Sequence, residues 1–149
     1  APTSIESLAE LRENSNIPIM ADESVFTLSD AWNICTNNAA DILSIYPGKH
    51  GGISNTLEIA NVAYAAGLNC HIGSNLELGI GTAAMLQVAA TSNCVDSKSF
   101  PADLIGPLYH EADLLRTPLK LGPEVAKIPE GPGLGIELDE EQLEQFRVN

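Results

Sequence analysis

Apolar residues fall along this chain in two alternating rhythms. Ile5, Leu8 and Leu11 keep the spacing of one helical face and predict a helix ending near Glu13, before Asn14-Ser15-Asn16. Thr3-Ser4-Ile5-Glu6 has the T-x-x-E form of a capping box. The run over residues 17–21 predicts a first strand, and Thr27 offers a cap for the next helix. Leu28, Ala31, Trp32 and Cys35 are the expected core-facing stripe of that helix, with Asn37 and Asn38 ending it. Residues 42–45 predict a second strand. Ile53, Leu57, Ala60 and Tyr64 mark another helix, with Gly67 at its C′ position. Cys70-His71-Ile72 is the core of a short third strand, and residues 80–90, apolar nearly all round, predict a buried helix. A fourth strand belongs somewhere between Cys94 and Asp103.

Beyond Asp103 the rhythm breaks. Five prolines, from Pro107 to Pro132, cut the chain into short pieces, with brief strands or turns expected over 119–121 and 124–128. A short acidic helix is expected over residues 139–146. Strands alternating with amphipathic helices imply a parallel sheet. Two architectures compete. A small doubly wound sheet closes with four strands, whereas a (β/α) barrel needs about 250 residues for eight units, so 149 residues make about half of one. Length favours the first and the placement of polar residues favours the second. Asp22-Glu23-Ser24-Val25 after the first strand is no phosphate cradle, and Lys49 is not followed by Ser or Thr as a Walker loop requires.

Composition narrows the partners. A net charge of −13 repels phosphate backbones and anionic lipid, which argues against nucleic acid and membrane surfaces. An anionic substrate then needs a local positive charge, most economically a divalent cation. The core is aliphatic, with 44% apolar residues but only 5% aromatic ones. Cys35, Cys70 and Cys94 are odd in number and widely spaced, so they read as buried thiols of a reducing, cytoplasmic protein. No apolar run approaches the length of a membrane span.

Candidate chemistry gathers at strand ends. Asp22 and Glu23 close the first strand, and only one of two neighbours can face a barrel axis. Tyr46 and Lys49 follow the second strand, just before the Gly51-Gly52 turn. Glu77 follows the third, and Asp103 closes the uncertain fourth. Each also has a plain reading as cap, surface or packing residue. His71 is expected as a core histidine, while His50 and His110 look exposed.

Four stretches together carry a family likeness: residues 17–24; Lys49-His50-Gly51-Gly52; residues 103–108; and residues 129–138. In that order they resemble the C-terminal half of the catalytic barrel of the enolase superfamily, in its mandelate racemase and muconate lactonizing branch. The resemblance implies an α/β fold: a parallel (β/α) half-barrel over residues 1–108, the C-terminal part of a modified TIM barrel. An irregular tail over 109–149 would pack on the barrel or capping region. It implies Mg²⁺, with Mn²⁺ as an alternative, held by three carboxylates of which Asp22 is the last. It implies removal of the α-proton of a small carboxylate substrate through an enediolate, muconate cycloisomerase-like. Acid-sugar dehydration or epimerisation is the second choice. Asp103 matches an acid or hydrogen-bond donor, Lys49 a lysine at the rim, and Glu77 a supporting acid beside Glu23.

Two departures stand out. Tyr46 occupies the place of a lysine base; its phenol either accepts a proton or only donates a hydrogen bond. The other two metal carboxylates would lie before Ala1, so an upstream half or a second copy is the expected partner. A non-catalytic folding unit or binding module is the reading of another class.

Overall fold

The computed structural model describes residues 4–148. Helix α1 (Ile5–Glu13) is capped by Ser4, whose hydroxyl accepts the Ser7 N–H at 3.1 Å. The expected capping box begins at Thr3, outside the described residues. Strand β1 (Met20–Ala21) is shorter than the predicted 17–21, because its outer edge has no neighbour among the described residues. Helix α2 (Leu28–Thr36) starts in a full capping box between Thr27 and Asp30. Its buried face is Ala31 and Ile34 rather than the expected stripe, and Trp32 is 61% exposed. Helix α2 packs against the helix over Ile53–Ala65, and this face turns the indole outward.

Strand β2 (Ile42–Ile45) matches its predicted range and is buried throughout. A one-turn helix, α3 (Pro47–His50), stands where only a glycine turn was expected; Pro47 opens it and Gly51, at φ 78°, closes it. Helix α4 (Ile53–Ala65), strand β3 (Asn69–Ile72) and helix α5 (Gly79–Thr91) follow as expected. The fourth strand is reduced to one parallel bridge, Cys70 to Val95, and Asp103 N–H bonds the Ile72 carbonyl at 2.8 Å. Phe100 N–H folds back on the Asp96 carbonyl between these points, so the segment loops out of the ladder. The Pro-rich stretch yields a 3₁₀ turn (Gly106–Tyr109), antiparallel bridges 115–138 and 121–126, and the acidic helix α6 (Glu140–Gln145), capped by Asp139. It lies against α5: Asp113 accepts the Gly79 N–H at 2.8 Å, and Leu115 is buried there.

The strands pair in chain order, β1-β2-β3, all parallel. This decides between the two architectures. A doubly wound sheet reverses its strand order to place helices on both faces. Successive right-handed crossovers without reversal put every helix on one face. Ala21, Leu43, Ile45, Cys70 and Ile72 point to that face and form the core with α2, α4 and α5. The opposite face alternates with it: Met20, then Ile42 and Ser44, then Asn69 and His71. The fold is an open half-barrel.

Arg12 and Asp41 join its lower end. Arg12 Nε donates to Asp41 Oδ1 and the Ile19 N–H to Oδ2, each at 2.8 Å. Partial burial pushes this carboxyl up, but the Ile19 N–H and the Arg12 guanidinium outweigh it and hold it below the usual range. A lowered folded-state value means the stabilisation is complete above the unfolded value, about 4, and is lost as pH falls through the folded one. Stability from urea midpoints should therefore drop by up to about 1 kcal/mol between about pH 6 and pH 3, and Asp41→Asn should flatten that part of the profile.

Candidate functional site at the C-terminal rim

Register brings the strand ends to one rim. Ala21 pairs with Leu43, so Asp22 stands level with Ser44; Ile45 pairs with Ile72, so Tyr46 stands level with Gly73. Asp103 sits beside Ile72 through its N–H. Asp22, Tyr46 and Asp103 therefore share the C-terminal edge of one parallel sheet, where such folds place their active sites.

Lys49 is the centre of this rim. The one-turn helix α3 swings it back over the ends of β1 and β2. Its Nζ donates to Asp22 Oδ1 at 2.8 Å, to the Asp22 carbonyl at 3.0 Å and to the Ser44 carbonyl at 2.7 Å. Three acceptors engage all three ammonium N–H groups. The side chain is only 2% exposed, against 46% for that of Asp22. Burial lowers the Lys49 pKa, while Asp22 and Glu23 oppose that shift. The ammonium also lies 4.8 Å from the centroid of the Tyr46 ring, a cation–π distance.

Tyr46 is buried and donates its hydroxyl to Asn75 Oδ1 at 3.1 Å. Burial raises its pKa, and the carboxylates of Asp22, Glu77 and Glu23 add to the rise. It stands as a neutral phenol at neutral pH. Gly73 makes room for it: a Cβ there would run into Ser44 Oγ and lie 3.0 Å from the ring. His50, expected on the surface, is buried at 5% exposure, because α3 folds its ring under the Phe26 carbonyl at 2.9 Å. Burial lowers its pKa. His71 is half-buried and bonds the Pro101 carbonyl through Nε2 at 3.0 Å; His110 is exposed, with Nε2 2.9 Å from the Leu76 carbonyl.

Glu77 and Tyr46 both approach Gly48, where a Cβ would lie 3.1 Å from Glu77 Oε1 and 3.8 Å from the Tyr46 ring. Its Oε2 accepts from Ser74 Oγ at 2.7 Å and from Asn75 N–H at 3.0 Å. Its Oε1 is buried without a hydrogen-bond partner among the described residues. Glu23 is exposed and makes no hydrogen bond among them. Asp103 is half-buried, with its carboxylate free of any ion pair among the described residues. Asn75 and Ser44 were absent from the sequence-derived candidates. A polar residue in a loop, or one inside an apolar strand, carries no spacing signal of its own.

No group of three His, Cys, Asp or Glu side chains among the described residues could hold a metal ion. Asp22 offers one carboxylate, still half open to solvent beside its lysine, and a hard cation needs several such oxygens.

An open parallel half-barrel with acids at its C-terminal rim defines a part of a (β/α)-barrel protein. Residues 1–142 match the family described as "Enolase C-terminal domain-like", and the chain belongs to it, in the mandelate racemase and muconate lactonizing branch of the enolase superfamily. It is 37% identical over 145 residues to muconate cycloisomerase 1 of Rhodococcus opacus, covering 97% of this chain and 38% of that protein. It is 35% identical over 142 residues to a chloromuconate cycloisomerase of Cupriavidus pinatubonensis, covering 95% and 37%. The structure of 2-chloromuconate cycloisomerase from Rhodococcus opacus 1CP superimposes with a TM-score of 0.91 at 34% identity, covering 98% of this chain and 39% of that one. Muconate lactonizing enzyme from Pseudomonas fluorescens, complexed with muconolactone, gives a TM-score of 0.91 at 36% identity, over 99% and 39%. The chain thus spans about two fifths of the relatives it matches.

The Lys49 contacts yield a stability prediction. Lys49→Met leaves two carbonyls and a carboxylate oxygen without their donor, and should cost about 2 kcal/mol in urea unfolding.

Proposed function

We propose that this chain forms the C-terminal half of a barrel enzyme that removes the α-proton of a small carboxylate substrate in a cycloisomerase-like reaction. The observation that carries this is the convergence of Asp22, Tyr46, Lys49 and Asp103 on one rim, in a chain whose relatives are named muconate and chloromuconate cycloisomerases. In this reading Asp22 is one ligand of a Mg²⁺ or Mn²⁺ ion, and the remaining ligands come from outside the chain. Such an ion, when bound, offsets the negative charge that develops on a substrate carboxylate.

The chain's own residues then divide the work. Lys49, its three N–H groups engaged, holds Asp22 in place rather than moving protons. Tyr46 lines the site as a phenol, and Glu77 supports the loop behind it. Asp103, at the rim with no ion pair among the described residues, serves as proton donor or hydrogen-bond donor on this side. Gly73, at the end of β3, carries no side chain, and Ser44 and Tyr46 fill the space where one would start. The absence of a second base at that strand end favours a one-base reaction, cycloisomerisation or dehydration, over two-base epimerisation.

Asp22→Asn in the complete enzyme should abolish turnover while leaving the fold intact by circular dichroism; retained turnover would remove Asp22 as a ligand. Calorimetric titration gives a second check. Alone, the 149-residue chain should bind Mg²⁺ with a dissociation constant on the order of millimolar or weaker. Recombination with an upstream half should tighten binding, and no tightening would favour a non-catalytic folding unit.

A further inference from the structure

The segment behind Tyr46 is far more constrained than a connecting loop requires. Leu76 adopts φ 61°, a left-handed conformation costly for a branched side chain. Its N–H bonds Ser74 Oγ at 2.8 Å, and its carbonyl meets His110 Nε2 at 2.9 Å. Thr82 Oγ1 donates to the Glu77 carbonyl at 3.0 Å. Two glycines press on the same residue: a Cβ at Gly106 would overlap Glu77 backbone atoms, and one at Gly81 would lie 2.7 Å from the Glu77 Cβ. At the head of this clamp Glu77 Oε2 accepts from Ser74 Oγ and the Asn75 N–H, and Asn75 Oδ1 accepts from the Tyr46 hydroxyl. Strain this well supported marks a segment whose shape is used.

We propose that Glu77 and Asn75 are positioning residues: Glu77 fixes the Asn75 backbone, and Asn75 holds the Tyr46 O–H, so that the phenol oxygen offers its lone pairs rather than its proton. An amide carbonyl does not relay a proton onward. The arrangement therefore holds Tyr46 as a neutral phenol with its oxygen lone pairs free. This inference rests on the reading of Tyr46 as a residue of the reaction site.

The test is carried out in the full protein with tyrosine labelled with carbon-13 at Cζ, the Tyr46 resonance being the one missing in Tyr46→Phe. Asn75→Ala and Glu77→Ala should both move that resonance, whereas Glu77→Gln, which keeps an acceptor oxygen, should leave it nearly in place. In turnover, the two alanine variants should lose about tenfold in kcat with KM within about twofold, and Glu77→Gln should recover most of it. A Tyr46 resonance unmoved by both alanine variants, or moved as far by Glu77→Gln as by Glu77→Ala, overturns the proposal. If the resonance shifts as expected while Tyr46→Phe keeps full activity, the positioning stands and the placement of Tyr46 in the reaction site falls.

Discussion

Three parallel strands laid side by side in chain order can be covered by helices on one face only, and everything else in this molecule follows from that constraint. The covered face collects the aliphatic core. The other face is left to polar and mixed residues, and its C-terminal rim collects the strand-end acids. An all-parallel sheet covered on one side is stable when that bare side is the inside of a barrel. The match to about two fifths of each relative's length, at high structural similarity, agrees with this geometry.

Within the rim, charge is arranged by burial more than by net balance. The chain carries −13 overall, yet a cation, the Lys49 side chain, is enclosed to 2% exposure at the rim. A buried ammonium survives because three oxygens replace its water. It joins the ends of β1 and β2 and holds one oxygen of Asp22. The same ammonium sits over Tyr46, whose hydroxyl donates to Asn75, and Glu77 holds the Asn75 backbone. Position, not residue type, thus separates the groups: a lysine acts as a strut, a tyrosine as a fixed phenol, and an aspartate remains open.

Much of the fold was legible in the residues. The helical stripes and the alternation with short apolar runs located α4, α5, β2, β3 and the acidic α6, because those elements are decided locally by period and caps. The misplacements share one cause. The spacing puts Trp32 in the core of α2, yet it lies outside, since several faces satisfy the spacing and only packing against α4 selects one. The sequence puts His50 at the surface, yet it is buried, since a one-turn helix after Tyr46 is set by Pro47 and Gly51 together with the sheet beneath them. The fourth strand is a bridge and a looped segment, with no further strand beside it among the described residues.

By itself the sequence determined the order of elements, the aliphatic character of the core and the residues that end each strand, because these depend on neighbours a few positions away. Tertiary structure alone decided that the strands pair without reversal and that Lys49 bonds residues 27 and 5 positions earlier in the chain. It alone decided that Asn75 reaches back to Tyr46. Those are distances through space between segments whose spacing along the chain carries no trace of them.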